Sequence, residues 1–430
     1  MEKSLNVYLW NVKVGTLSES GRGNTAFHFE PEFLNRQWNI APFVASIYST
    51  RIRNGLPVFG DKDKLYNGLP PFLADSLPDN WGNAVFKEWT VRNRIRNKDI
   101  TPIDKLAYMG TRSMGALEFL PPMMKELEEP FSVEIDSLFQ LAKETLESAE
   151  RIHETQDENL VYETLFRVGT SAGGKRPKAI IHVNERTREI ISGQVSCPME
   201  FTPYILKFDE KQRFPSTKVE FSYYLMTKDI GIDMMPCTLV HSKDSCHFMT
   251  QRFDRANGEK IHTQTLAAIR PDSDCYEDLF QTAFELRIGK QEIKELFRRM
   301  AFNVYGGNVD DHNKNFSFRM DKSGEWHITP AYDMTFTVDV EQLRCMNRHA
   351  MSVNMSDDEI TDADMLAIAT RYDVKGANEI LEKTKSVLAN YRQYAIDASV
   401  GTDWGEKIQK EIDKRIETAI SGTRSRGRKW

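Results

Sequence analysis

The chain has 430 residues, 40% of them hydrophobic and 28% charged, with a formal net charge of -6. That balance is ordinary for a globular protein with ample core material, and it excludes nucleic-acid binding through overall basicity. The five cysteines (Cys197, Cys237, Cys246, Cys275, Cys345) are scattered with no CxxC pair, which excludes a cysteine-based zinc site and fits reduced thiols.

The opening residues, MEKSLNVYLW, lack the apolar core of an export signal, and no later run approaches 18 apolar residues. The expectation is a cytoplasmic protein with no membrane span. Residues 5–11 and 12–17 alternate as short strands, and ESGRGNTAF then supplies turn glycines. PPMMKELEEPF, at 121–131, combines prolines with a charge cluster and marks a domain boundary. A helical pattern follows from Ser132 to about Glu154, and strands dominate to about residue 210. Helices dominate from about 277 to 305 and from about 359 to 420. The order predicts an α+β protein: a mixed N-terminal subdomain (1–128), a β-rich part (129–255) and a mostly helical part (256–430). The closing SGTRSRGRKW reads as a frayed basic tail.

The densest polar cluster lies in GGNVDDHNKNFSF, residues 306–318. Before it, Ile293, Leu296, Phe297, Met300, Ala301 and Val304 form one face of a buried helix, and Gly306 and Gly307 end it. After it, Phe316, Phe318 and Met320 alternate as a strand, DKSG turns, and Trp326–Thr329 return. Such a hairpin brings Asp333, in TPAYDM, back beside Asp310 and Asn315. The resulting D-x-H-x-x-N, Asp310 to Asn315 with His312 between, plus a later aspartate, suits phosphoryl transfer. That reaction needs one carboxylate near the acceptor hydroxyl and an Asn and an Asp for Mg²⁺. Taken alone, the pattern describes a polar turn equally well.

A phosphotransferase must also hold a nucleotide. LFRVGTSAGGKRPKAIIHV, residues 165–183, places Gly169, Gly173 and Gly174 between strands, where bare backbone can approach phosphates. It is not a Walker loop, because the spacing is wrong and a strand follows. A strand–loop–strand lid fits, and an ordinary basic hairpin is the other reading. In PYILKFD, Lys207 sits in an apolar strand, where a buried ammonium needs an anion; snorkelling from the strand end is the alternative. Glu220 either pairs with Lys207 or closes a capping box from Thr217, and the capping role is favoured. TQRFDR, at 250–255, falls where a linker would present backbone groups to an adenine ring.

As a set, these motifs resemble the HipA-like serine/threonine kinases, the toxin kinases of bacterial type II toxin–antitoxin modules. YLWNVKVGTL, LPPFLADSLPDNWG and DKLAYMGTRSMGALEF resemble the family's N-terminal subdomain. TSAGGKRPKA, ILKFD, QRFDR, GGNVDDHNKNFSF and ITPAYDM resemble its kinase core. The resemblance implies a two-lobed kinase-like fold and Mg²⁺-ATP as cofactors. It makes Asp310, with His312 beside it, the catalytic candidate, and Asn315 and Asp333 the metal ligands. ATP would be held by Thr170, Ser171, Ala172, Gly173, Gly174, Lys207, Gln251 and Phe253. It implies autophosphorylation of the loop at Thr170 or Ser171, a protein substrate modified on Ser or Thr, and a helix-turn-helix antitoxin that carries the chain to operator DNA. Two departures stand out: Asp311 occupies a position often small in the family, and Val219 one that is often asparagine.

Two rival readings belong to other classes. A metal-dependent phosphohydrolase could use Asp310 and His312, but such sites need further His/Asp clusters and the other eight histidines are isolated. The second is an antitoxin-binding DNA co-repressor module with little or no kinase activity. The chain itself shows no helix-turn-helix.

Overall fold

Alternation builds the first sheet. In the computed structural model, Leu5, Val7 and Leu9 are the buried positions of β1 (Ser4–Leu9). β1 pairs antiparallel with β2 (Val12–Ser20) from Ser4↔Ser18 to Leu9↔Val12. The two linking residues, Trp10 and Asn11, both have positive φ, 49° and 63°, as a tight hairpin of strongly twisted strands requires. With β3 (Asn24–Phe29), β4 (Val58–Phe59) and β5 (Leu117–Leu120), the sheet order is β4-β3-β2-β1-β5. The structure describes residues 3–20, 24–124, 132–148, 176–193, 197–210, 212–243, 245–341 and 347–422.

The chain forms two compact units: Met1–Glu210 with Val240–Pro271 and Arg319–Glu325, and Lys211–Leu239 with Asp272–Phe318 and Trp326–Trp430. The first holds the β1–β5 sheet and most of a second. Its strands are β6 (Lys178–Val183), β7 (Ile190–Ser192), β8 (Thr202–Lys207), β9 (Cys237–Ser242) and β10 (Ser245–Gln251), in the order β7-β6-β8-β10-β9. Every residue of β6 is buried. One face of this sheet (Ala179, Ile181, Leu206) packs on Trp81, Val85 and Phe86 of the helix Asn80–Arg92 and on Leu138 and Leu141 of the helix Ile135–Ser148.

The second unit is mostly helical, as expected from the spacing. The helix Lys290–Gly306 runs through its core, burying Phe297, Met300, Phe302, Val304 and Tyr305. Tyr223, on the helix Ser216–Ile230, packs edge-on against Phe302 and Tyr391, and its hydroxyl donates to the Gly306 carbonyl. The helices Asp362–Arg371, Ala377–Leu388, Tyr391–Asp397 and Thr402–Ser421 complete the unit. One local expectation is corrected here. The helix expected to start on a Thr217 capping box starts at Ser216 behind Pro215, with no side-chain cap. Thr217 and Glu220 therefore lie within the first turns of the helix, and both are buried.

Candidate active site

The helix Lys290–Gly306 ends where the glycines predicted. Gly307 takes φ 67°, and a Cβ there would come within 3.0 Å of Phe336 and Val338. The chain then turns back on the helix it has left. Asn308 donates its amide to Asn303 Oδ1 at 3.0 Å and to the Asp333 carbonyl at 3.3 Å. Thr337 Oγ1 accepts from the Val309 and Asp310 N–H groups at 2.7 and 3.0 Å, and the Thr337 N–H reaches the Gly307 carbonyl at 3.1 Å. Residues 307–310 and 333–337 are thus fastened side by side.

Asn315 closes the other side. It sits at the end of a 3-10 turn, Asn313–Asn315, and donates its amide to the Asp310 carbonyl at 2.7 Å. The hairpin of β11 (Ser317–Met320) and β12 (Trp326–Ile328) follows, with the Thr329 N–H donating to the Ser317 carbonyl at 3.0 Å. Asp310 and Asn315, five residues apart, and the later Asp333 are therefore gathered on one scaffold. Asp310 and Asp333 are both half-buried. Asp333 holds φ 51°, a strained value for a residue with a side chain, of the kind that concentrates at functional sites. His312 is half-buried at the start of the 3-10 turn; its Nδ1 is enclosed and makes no hydrogen bond.

The sequence reading missed the support behind this scaffold. Asp311 is fully buried. It accepts from the Tyr276 hydroxyl at 2.7 Å, the Ala350 N–H at 2.9 Å and His349 Nδ1 at 2.9 Å. The Arg415 guanidinium lies 3.4 Å from His349 Nε2, and because arginine only donates, Nε2 is the acceptor and Nδ1 carries the proton. Burial first, then the Asp311 charge, raises the Tyr276 hydroxyl well above an ordinary phenol, so it keeps its proton. An asparagine on the apolar helix face, Asn303, was the one signal available. Tyr276 and His349 offered none.

The remaining predicted residues belong to the first unit. Lys207 ends β8, in register with Phe248 on β10 and Lys178 on β6, its ammonium 5.8 Å from the Phe248 ring centre. It is half-buried rather than enclosed, because the strand stops at it. The enclosed lysine of this sheet is Lys178, 2% exposed and paired with Asp79 at 2.9 Å. Gln251 ends β10 opposite Tyr204, and Phe253 lies two residues on; both are half-buried. Between and after them, Arg252 and Asp254 are fully buried. Asp254 takes two bonds from Arg252 (2.8 and 2.7 Å), one from Arg255 (2.7 Å) and one from the Gly115 N–H (2.9 Å). Burial alone would raise its pKa, but the two guanidinium groups hold it well below the usual carboxylate range. Thr170, Ser171, Ala172, Gly173 and Gly174 lie outside the described residues.

An α+β protein with a strand-rich unit and a helical unit bearing an Asp–Asn–Asp cluster is the class defined here. Two family models match it: the HipA N-terminal domain over residues 5–120 and the HipA-like C-terminal domain over residues 170–391. The chain belongs to the HipA family. It is 27% identical over 168 residues to the putative kinase Y4mE of Sinorhizobium fredii, a match spanning 35% of this chain and only 40% of that protein. It is 22% identical over 363 residues to the serine/threonine-protein kinase toxin HipA of Shewanella oneidensis, covering 77% of this chain and 74% of that one. The solved complex of HipA, HipB and operator DNA from Shewanella oneidensis shares the fold, with a TM-score of 0.64 at 17% identity over 97% of both chains. Among the described residues, no helix is long and apolar enough to cross a membrane.

Proposed function

We propose that this chain is a Mg²⁺-ATP-dependent serine/threonine protein kinase, the toxin of a bacterial toxin–antitoxin module. The observation that carries the reading is the clamp joining Asp310, Asn315 and Asp333 through Asn308 and Thr337. Its chemistry suits a hard cation, since Asn315 and Asp333 offer oxygens and no thiolate is among them. Asn308 Oδ1, buried without a hydrogen-bond partner beside Asp333, adds a further oxygen to that neighbourhood. When bound, Mg²⁺-ATP supplies the phosphoryl group and neutralises its charge.

The protein's own tasks are positioning and proton transfer. Asp310 orients the acceptor hydroxyl and takes its proton, with His312 as its neighbour in the motif. Asn315 and Asp333 would hold the metal. Lys207 would meet phosphate oxygens, Gln251 and Phe253 would border the base, and the segment Thr170–Gly174 would cover the phosphates. Autophosphorylation at Thr170 or Ser171 would add about two negative charges near pH 7 to that loop and compete with ATP for the same backbone groups. The solved Shewanella complex of HipA with HipB and operator DNA supports a HipB-like antitoxin as partner and operator DNA through it.

The test compares Asp310→Asn with Asp333→Asn. The first should keep Mg²⁺ and nucleotide binding while phosphotransfer to protein falls about 10²–10⁴-fold. The second should raise the Mg²⁺ needed for ATP binding, since a charged oxygen ligand is lost. Calorimetry across a Mg²⁺ titration and a phosphotransfer assay at saturating metal read both. If neither variant changes either quantity, the cluster is a polar turn and the kinase reading is wrong.

A further inference from the structure

Asp311 has no task in the proposed transfer, yet it starts a continuous chain of buried groups that ends on Asp333. An ionised carboxylate has no hydrogen to give, so the Tyr276 hydroxyl must direct its only proton at Asp311. The Tyr276 oxygen is then left to accept, and Asn303 Nδ2 donates to it at 3.0 Å. That fixes the Asn303 amide, whose Oδ1 must face Asn308 and accept from its Nδ2 at 3.0 Å. The remaining hydrogen of the same Asn308 group points to the Asp333 carbonyl at 3.3 Å. Every link has one direction, and the direction is set at Asp311.

The direction matters because the two amides could each rotate by half a turn. Asn308 Oδ1 is a buried acceptor with no hydrogen-bond partner, so nothing on that side of the amide holds its orientation. A flipped Asn308 would set its oxygen against the Asp333 carbonyl oxygen and remove a bond that supports the strained φ of 51°. The far carboxylate opposes this, since a reversed chain would leave Tyr276 with no proton to give it.

We propose that Asp311 is a positioning residue, which fixes the direction of the chain Tyr276–Asn303–Asn308 and through it the backbone conformation of Asp333. The idea deepens the reading of Asp333 as a metal ligand and rests on it only for its consequence in metal binding. Asp311→Asn keeps the size of the side chain and still accepts from the Ala350 N–H. Tyr276→Phe breaks the next link while keeping the ring, and it carries the test alone if the first variant fails to fold.

The first measurement is amide hydrogen exchange in the full-length protein without metal or nucleotide. Both variants should exchange about 3–10-fold faster at residues 333–337, the scale of one lost hydrogen bond. The double variant should show no more than the larger single effect. Unchanged exchange there overturns the proposal. So does a parallel rise along the whole helix Lys290–Gly306, which a merely structural role would give. The second measurement is ATP binding across a Mg²⁺ titration: Tyr276→Phe should raise the half-saturating Mg²⁺ by a similar factor and leave affinity at saturating Mg²⁺ unchanged. If the unaltered protein binds no Mg²⁺-ATP, the proposed function is wrong, while hydrogen exchange still decides the role of Asp311.

Discussion

Asp254 and Asp311 are both fully buried aspartates, one in each unit, and they are held by opposite means. Asp254 is enclosed by Arg252 and Arg255, whose charges compensate its own. Asp311 accepts from a hydroxyl, a backbone N–H and an imidazole. A carboxylate balanced by cations fastens: Arg255 also donates to the carbonyls of Gly115 at 2.9 Å and Ser113 at 3.1 Å, fixing the segment after β10 to the loop before β5. A carboxylate held by hydroxyl, amide and imidazole donors orients them, because it imposes a direction on groups that could point either way.

The largest effect should come from removing the charge of Asp254. Asp254→Asn removes the one carboxylate that both guanidinium groups bond, Arg252 fully buried and Arg255 largely so, and leaves only the more remote Glu118 acting on Arg255; it should destabilise the protein by about 3–5 kcal/mol. Asp311→Asn strands no arginine pair and should cost about 1–3 kcal/mol, the range for an unsatisfied buried polar group. Urea unfolding of both variants measures the gap. Equal losses would show that the two sites are held alike and would end the comparison.

Acid separates the same arginine cluster from its surroundings. His182 and His262 are both buried, and burial lowers each pKa to about 3, helped at His182 by Arg252 and Arg255. Unfolded histidine binds a proton near pH 6.5, so between about 6.5 and 3 the unfolded chain carries more protons than the folded one. Stability is therefore lost as pH falls through that window, by about 2 kcal/mol per histidine at pH 5. Asp254 has the same sign but acts in a lower window. Its folded pKa is depressed, so its contribution persists above the unfolded carboxylate value near 4 and is lost only below it. Unfolding at pH 7 and pH 5 should show a loss that shrinks in His182→Gln and persists in Asp254→Asn. A loss that vanished in Asp254→Asn would assign it to the carboxylate instead.

What could be read in advance follows the same division. The helix face from Ile293 to Val304, its glycine stop and the hairpin after Asn315 are local patterns, and the helix ends at Gly306 as expected. The gathering of Asp310, Asn315 and Asp333 followed from that hairpin. The partners of Asp311 did not, because Tyr276 and His349 stand 35 and 38 residues away and no periodicity connects them to it. The same limit hid the pairing of Lys178 with Asp79, 99 residues apart. An apolar run around a lysine gives no sign of where its strand stops. The sequence therefore leaves Lys207 open between an enclosed ammonium and a strand-end position, and it is the last residue of β8. The Thr217 box failed for a further reason: the motif is genuine as a pattern, but Pro215 already supplies the start of that helix.

Two capping boxes that did form give the smallest and most controlled version of the comparison. Thr101 caps the helix Pro102–Met109 in the first unit and Thr361 caps Asp362–Arg371 in the second, each exchanging bonds with an aspartate three residues on. The motifs match and the surroundings differ. Thr361 and Asp364 are both buried, and Asp364 Oδ1 also accepts from Asn354 Nδ2 at 2.9 Å. Thr101 is half-buried, and its partner Asp104 pairs with the more exposed Lys3. Removing Thr361 takes a hydroxyl from an enclosed carboxylate that water cannot readily reach, whereas Asp104 retains an ammonium. Thr361→Ala should therefore cost about 1–2 kcal/mol and Thr101→Ala about 0.5–1 kcal/mol, the two ends of the usual capping range. Denaturant midpoints at constant m-value measure both. The reverse order would mean that the lysine, rather than the burial, decides what a cap is worth here.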